Sequence, residues 1–365
     1  MSMQTGMKPD GVEVVTTTAE ALALPSPPLL ILDAVTAFFD EQGLGAGPLA
    51  WERIGAGQSN ITYRIQRGDQ TYVLRRGPRP PLPPSTHDMV REARIQQHLH
   101  AEGVLVPQIL AVCSDESLLG VPFYVMSFVE GVVITDAPPP ALTPAAQREA
   151  TCRAVVDTLA QLHRVDVSRP GLAELGRPDG YLERQVRRFS GLWETNTTRH
   201  LPQVQDLAAW LEQNRPDSQG VSVVHGDYRM GNLLFHGSAP AAVVGILDWE
   251  MATLGDPLAD LGYLTATYSD AASAPTVMEL TPVTREPGYW SRAQLVDRYA
   301  EQTGLEMAAL PWYQVLALWK SAIFCEAIYT RWLQGERPGD EIFGPSLEAG
   351  VPHLLQQAAR HMHDL

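Results

Sequence analysis

The residues best suited to chemistry in this chain lie in Val223-Val224-His225-Gly226-Asp227-Tyr228-Arg229-Met230-Gly231-Asn232 and in Val243-Val244-Gly245-Ile246-Leu247-Asp248-Trp249-Glu250. An aspartate, an asparagine five residues later and a second aspartate closing an apolar strand are what phosphoryl transfer from Mg-ATP requires. Magnesium takes a few carboxylate or amide oxygens and completes its shell with phosphate oxygens, which suits Asn232 and Asp248 as ligands from a loop end and a strand end. Asp227 would accept the proton of the attacking hydroxyl. His225 and Gly226 suit structural roles, since a His can hydrogen-bond the loop and a Gly lets the backbone turn tightly. A lone His-Gly-Asp arises by chance, and one Asp after an apolar run is commonly a turn or helix cap. The joint occurrence, in this order, carries the reading.

His225-Gly226-Asp227, Asn232 and Ile246-Leu247-Asp248 resemble the aminoglycoside phosphotransferase and choline kinase superfamily, in which the His-Arg-Asp of protein kinases becomes His-Gly-Asp. Tyr72-Val73-Leu74-Arg75-Arg76, the run from His225 to Asn232, and Asp248-Trp249-Glu250-Met251-Ala252-Thr253-Leu254-Gly255-Asp256-Pro257 are similar in particular to the branch fused to, or found beside, acyl-CoA dehydrogenases. The resemblance runs from about Trp51 to the C-terminus. It implies an α+β, two-lobed protein-kinase-like fold, with an antiparallel five-stranded N-lobe, a mainly helical C-lobe and Mg-ATP held between them.

The elements that would position these residues can be followed along the chain. Residues 1–28 show no periodicity and read as a flexible tail, 29–130 as the N-lobe and 131–365 as the C-lobe. Leu29 to Gln42 reads as a helix, followed by a strand to Ile54, the turn Gly55-Ala56-Gly57-Gln58-Ser59-Asn60, a second strand and a hairpin into Thr71–Arg76. Gly57, Ser59 and Asn60 would bring backbone N–H groups close to phosphates. Val73 and Arg75 share a strand face. A cation there would pair with the phosphates, a role for which Arg76 competes with Arg75; kinases usually carry Lys at this point, and the acyl-CoA-associated branch carries Arg-Arg. Ser85 and Asp88 have capping-box spacing before a helix that puts Glu92 on an apolar face. The family's Lys–Glu pair makes Glu92 the natural partner of Arg75. After strands at Gln108–Val112 and Pro122–Phe128, joined by a polar turn, Met126, Ser127 and Val129 occupy the position of a kinase hinge that meets adenine.

In the second half, Thr143 reads as the cap of a long helix with Val155, Leu159 and Leu162 buried and His163 as a structural end residue. Two helical segments from Tyr181 to Leu211 occupy the region that small-molecule relatives use for the acceptor. There Arg184, Arg187 and Arg188 recur at helical spacing, and Arg229 sits in the catalytic loop. Together they would suit an anionic acceptor, although Glu183 and Glu194 could equally pair with a solvated helix face. Asp260 is similar to an aspartate that braces the catalytic loop in relatives. The short span from Asp248 to Asp260, with no Ala-Pro-Glu after it, counts against a protein kinase. Trp312 to Trp332 reads as core, with Glu326 and Arg331 as further residues able to line an acceptor cleft.

The chain has 365 residues, 45% hydrophobic and 19% charged, enough for a sizeable core. Cys113, Cys152 and Cys325 lie far apart without metal spacing, which fits a reducing cytoplasm. A net charge of -15 argues against nucleic acid, and no apolar run reaches membrane-spanning length. The expectation is a phosphotransferase using ATP and magnesium on a small-molecule hydroxyl acceptor, hydroxyacyl or otherwise anionic, with a homodimer left open. An aminoglycoside- or choline-type kinase with a cationic acceptor and an inactive nucleotide-binding scaffold are the other two readings.

Overall fold

The computed structural model describes residues 11–55, 60–80, 82, 87–337 and 339–363, and the chain divides into two units between Val129 and Glu130. The first contains β1 (Val14–Val15), α1 (Thr18–Leu22), β2 (Leu30–Ile31), α2 (Leu32–Glu41), β3 (Leu49–Ile54), β4 (Ile61–Arg67), β5 (Gln70–Arg76), α3 (Met89–Ala101), β6 (Ile109–Cys113), α4 (Glu116–Leu119) and β7 (Phe123–Ser127). Five strands form one antiparallel sheet in the order β3-β4-β5-β7-β6. Strand alternation then assigns the two faces. Tyr63, Ile65, Tyr72, Leu74, Phe123 and Val125 pack with Val35, Phe38 and Phe39 of α2. Val73, Tyr124 and Met126 pack with Met89 and Ala93 of α3. Arg75, in register with Val73, therefore belongs to the α3 face.

Three expectations for this unit need correction or bounding. Residues 11–28 are not an unstructured tail: β1 pairs in parallel with β2, Thr17 and Glu20 close a capping box on α1, and Glu13 meets Arg53 at 3.0 Å and the Tyr63 hydroxyl at 3.2 Å. A two-residue strand and a five-residue helix are too short to leave a periodic pattern in sequence. The polar turn between β6 and β7 contains the single-turn helix α4, capped by Asp115. Helix α3 is capped by Asp88, which accepts from the Arg91 amide at 2.9 Å, while Ser85, Gly57 and Ser59 lie outside the described residues.

The second unit contains α5 (Ala145–His163), α6 (Tyr181–Asn196), α7 (Gln203–Gln213), β8 (Ser222–Val224), β9 (Leu233–Phe235), β10 (Val243–Ile246), β11 (Thr253–Gly255), α8 (Leu258–Thr267), α9 (Arg292–Thr303), α10 (Leu310–Leu333) and α11 (Phe343–His361). Strand β8 pairs with β11 and β9 with β10, both antiparallel. Helix α10 is the centre of the core, packed by α11, α8, α6 and α7. Its Trp312 and Trp319 are fully buried, and their indole N–H groups donate to the Leu211 and Val204 carbonyls at 3.0 Å, so burial strands no donor. Among the described residues no helix is long and apolar enough to cross a membrane.

Two side-chain expectations fail here. Thr143 does not cap α5: its hydroxyl donates to Pro140 O at 2.8 Å in the preceding 3-10 turn, and Pro144 takes the cap position without a side-chain bond. Glu326 does not line a cleft. It is fully buried and held by the Arg199 guanidinium and by Thr197 Oγ1 at 3.0 Å, while Arg331 pairs with Glu336 at 3.1 Å. The arginine that buries Glu326 comes from the irregular α6–α7 connection, which has no periodic pattern to read.

Candidate active site

Strand β8 delivers the chain to His225, and the loop that follows is fixed from beneath by α8. Gly226 has φ +86°, and a Cβ there would lie 2.9 Å from Met251 Cβ, so both backbone geometry and space demand glycine. The Asp260 carboxylate accepts from the His225 amide at 2.7 Å and the Gly226 amide at 2.8 Å, with His163 Nε2 3.2 Å away. Asp260 is fully buried. Burial alone would raise its pKa, but the His163 hydrogen bond and the neighbouring His163, His225 and Gly226 amide outweigh it and hold the carboxyl below its usual range.

His225 is structural, as its sequence position implied. Its Nδ1 accepts from the Asp227 amide at 3.2 Å, which leaves Nε2 to donate to Leu247 O at 2.9 Å. The ring rests on Trp249, centroids 4.7 Å apart. One imidazole thus ties the Asp227 segment to the Asp248 segment.

The Asp227 carboxylate is oriented by two side chains. Asn232 Nδ2 donates to Oδ2 at 2.7 Å and to the Asp227 carbonyl at 2.9 Å, and Arg229 Nε lies 3.4 Å from Oδ1. Tyr263 lies near enough for the Asp227 charge, after burial, to push the phenol pKa well above its usual value. Sequence reading missed Tyr263. The available signal was its spacing of three from Asp260, which places both on one side of α8, beneath the loop.

Asn232 and Asp248 are brought to the same end of the β9–β10 hairpin. Ile246 pairs with Leu233, and the next amide, Leu247 N, donates to Asn232 O at 2.8 Å. Asp248 has φ +68°, a left-handed conformation that turns the chain out of the strand and that Asp tolerates better than most residues. With Nδ2 given to Asp227, the Asn232 side chain presents its oxygen. An amide oxygen and a carboxylate carried at one hairpin end are hard donors of the kind that fit magnesium, which keeps water and phosphate in the rest of its shell. Among the described residues no group of three or more His, Cys, Asp or Glu forms a full metal cage.

In the first unit, Arg75 Nε lies 3.0 Å from Glu92 Oε1, and Tyr124 OH donates to the same carboxylate at 2.9 Å. Arg76 points to the opposite face. It is fully buried and donates to Gly77, Leu29, Leu119 and Pro78 carbonyls, which makes it a structural strut. Burial pushes its pKa down to about 10. Asn60 Oδ1 lies 2.8 Å from His87 Nδ1. Met126 is buried on the α3 face, Ser127 exchanges hydrogen bonds with Gln108, and Val129 ends the unit.

The arginines of α6 do not form the joint patch that their spacing suggested. Arg184 turns back to cap the Arg177 and Asp179 carbonyls, Arg187 is exposed and 4.0 Å from Glu183, and Arg229 is engaged at Asp227. Helical spacing was right, but the carbonyls that draw Arg184 away belong to a loop whose path sequence does not reveal.

This geometry agrees with what comparison finds. A sequence profile described as Phosphotransferase enzyme family matches residues 50–313. The chain belongs to that family. Acyl-CoA dehydrogenase family member 11 of Gallus gallus is 36% identical over 298 residues, covering 80% of this chain and 38% of that protein. The chain thus spans little more than a third of the length of the family member 11 relatives it matches. A solved structure from Ralstonia eutropha JMP134, assigned as an aminoglycoside phosphotransferase, shares 29% identity at a TM-score of 0.75, covering 91% of this chain and 98% of that one. Spectinomycin phosphotransferase, solved with ADP and spectinomycin, shares the fold at 14% identity and a TM-score of 0.55, covering 91% and 98%. The α+β kinase-like fold and the acyl-CoA dehydrogenase branch are those that the sequence motifs implied.

If this candidate site is the active site, Tyr263→Phe should remove a hydroxyl close to Asp227 and lower turnover about tenfold. Steady-state kinetics beside a thermal melt would separate this from a packing defect, because Phe keeps the ring.

Proposed function

We propose that the protein transfers the γ-phosphoryl group of Mg-ATP to a hydroxyl of a small metabolite, with a hydroxyacyl or other anionic compound as acceptor. The observation that carries the reading is the carboxylate of Asp227, held by Asn232 and Arg229, in a loop joined to the β9–β10 hairpin end that carries Asn232 and Asp248. The ADP in the spectinomycin phosphotransferase structure supports a nucleotide donor, and the acyl-CoA dehydrogenase name of the relatives supports an acyl-type acceptor.

In this reading Asp227 orients the acceptor hydroxyl and takes its proton as the new P–O bond forms and the bond to ADP breaks. Asn232 and Asp248 hold magnesium, which would neutralise charge on the phosphate oxygens. Arg75, fixed by Glu92, meets phosphate; Asn60 belongs to the nucleotide loop, and Met126, Ser127 and Val129 meet adenine. Positioning and charge supply the catalysis, with no covalent intermediate.

The test is ADP release by wild type and Asp227→Ala against two acceptor pools, hydroxyacyl thioesters with hydroxy acids and aminoglycosides with amino alcohols. Stimulation by the first pool, lost in the variant, is expected. Stimulation by the second alone would replace the acceptor class, and failure to bind Mg-ATP would overturn the reading.

The two arginines of β5 should separate cleanly. Arg75→Met is expected to raise KM for ATP about tenfold, whereas Arg76→Met should cost about 3 kcal/mol of stability through stranded carbonyls while leaving that KM near wild type. Kinetics and urea unfolding of both variants check the contrast.

A further inference from the structure

Lys8 and Lys320 are the only lysines in a chain that otherwise relies on arginine. Lys320 lies on α10 and faces α6, with Nζ 3.0 Å from Gln185 Oε1 and 4.6 Å from the centre of the Phe189 ring. Gln185, Arg188 and Phe189 are three and four residues apart on α6 and so form one stripe. Burial first, and then the Arg188 charge, push the Lys320 pKa down to about 8, with Asp260 of α8 opposing them. Among the described residues neither Lys320 nor Arg188 has a carboxylate within ion-pair distance, although the neighbouring Arg187 finds Glu183.

Two adjacent cations with no acid between them are costly, the more so when one is desolvated. A chain of net charge -15 has no shortage of carboxylates to neutralise them. Beside them Phe324, one turn beyond Lys320 on α10, is 43% exposed and lies edge-on to Phe189 with centroids 5.2 Å apart. The next residue on α10, Cys325, is near enough to Tyr263 to influence its ionisation, as is Asp227. Charge, apolar surface and the route to the catalytic carboxylate therefore meet on one helix.

We propose that Lys320 and Arg188, with Gln185 and Phe324, bind an anionic group, phosphate or carboxylate, carried on an apolar chain, and that this group is the anionic end of the acceptor. The second half of the proposal rests on the phosphotransferase reading; the binding site does not. A lysine suits the position because its ammonium is a compact point charge that fits between an aromatic ring and a ligand oxygen. Affinity should fall as pH rises through about 8, where Lys320 loses its charge, and should be full below that.

The experiment is calorimetric titration of the purified full chain with octyl phosphate, octanoate and inorganic phosphate at pH 7 and pH 9, without nucleotide. Arg188→Gln and Lys320→Gln should each weaken binding of the octyl anions about tenfold, and Arg187→Gln should leave it unchanged. Arg188 is exposed, so its variant is expected to melt like wild type and keeps the test valid if Lys320→Gln unfolds. Equal binding of inorganic and octyl phosphate would refute the apolar part and indicate a free-phosphate site. Octyl-anion binding that Arg188→Gln leaves intact, or no binding by wild type, would overturn the site. Loss of anion binding in Arg188→Gln with unchanged KM for an active acceptor would keep the site and remove its assignment to the acceptor.

Discussion

Asp227→Asn should lower turnover by about 10²- to 10⁴-fold, the range ordinarily lost with a general base. The substitution keeps side-chain volume, and Asn can still accept from Asn232 Nδ2 through its amide oxygen. What it loses is the second acceptor and the charge that faces Arg229 and Tyr263. Because the Asp227 side chain is about a quarter exposed and lies outside the buried Asp260 network, folding should survive the change. ATP affinity by calorimetry should also survive, because the proposed nucleotide contacts lie elsewhere. The decisive pair of measurements is ATP binding and acceptor-stimulated ADP release on the same preparation. Turnover within threefold of wild type would remove Asp227 from the chemistry and leave it a loop-shaping residue.

The geometry of the candidate catalytic segment was legible in sequence because its parts are local. His225, Gly226 and Asp227 are consecutive, Asn232 is one turn further on, and Asp248 closes the strand that pairs back to it. The Arg75–Glu92 pair was legible for another reason: the family resemblance implied it, while strand alternation and helical spacing gave only the face of each residue. What resisted was anything decided by the path of an irregular segment. Arg184 is drawn to carbonyls of the loop ahead of α6, and Glu326 is met by Arg199 from the α6–α7 connection. Neither loop has a periodic pattern to read. Tyr263 lies between these cases. Its helix and its spacing from Asp260 were visible, but an aromatic in an apolar helix looks like core until the loop above it is in place.

Asp260→Asn should be the most damaging substitution for the fold of the catalytic loop. The carboxylate accepts from two consecutive amides and meets His163, whose other ring nitrogen meets the Tyr299 hydroxyl. An asparagine offers one acceptor oxygen, so its NH₂ must face the amide N–H of either His225 or Gly226 in a fully buried site. Removing one partner from a buried network of this kind costs about 3–5 kcal/mol. The pH dependence gives a second signature. The folded-state pKa of Asp260 is depressed, so its contribution to stability is present above the unfolded-state value of about 4 and is lost as pH falls through the folded value. Thermal melts between pH 3 and 7 should therefore show wild type losing stability on acidification and Asp260→Asn declining less steeply from a lower start. Turnover should fall with it at neutral pH, because His225 and Gly226 set the direction of Asp227. A variant as stable as wild type at pH 7, with an unchanged acid limb, would mean that the two amides find other acceptors and that Asp260 does not hold the loop.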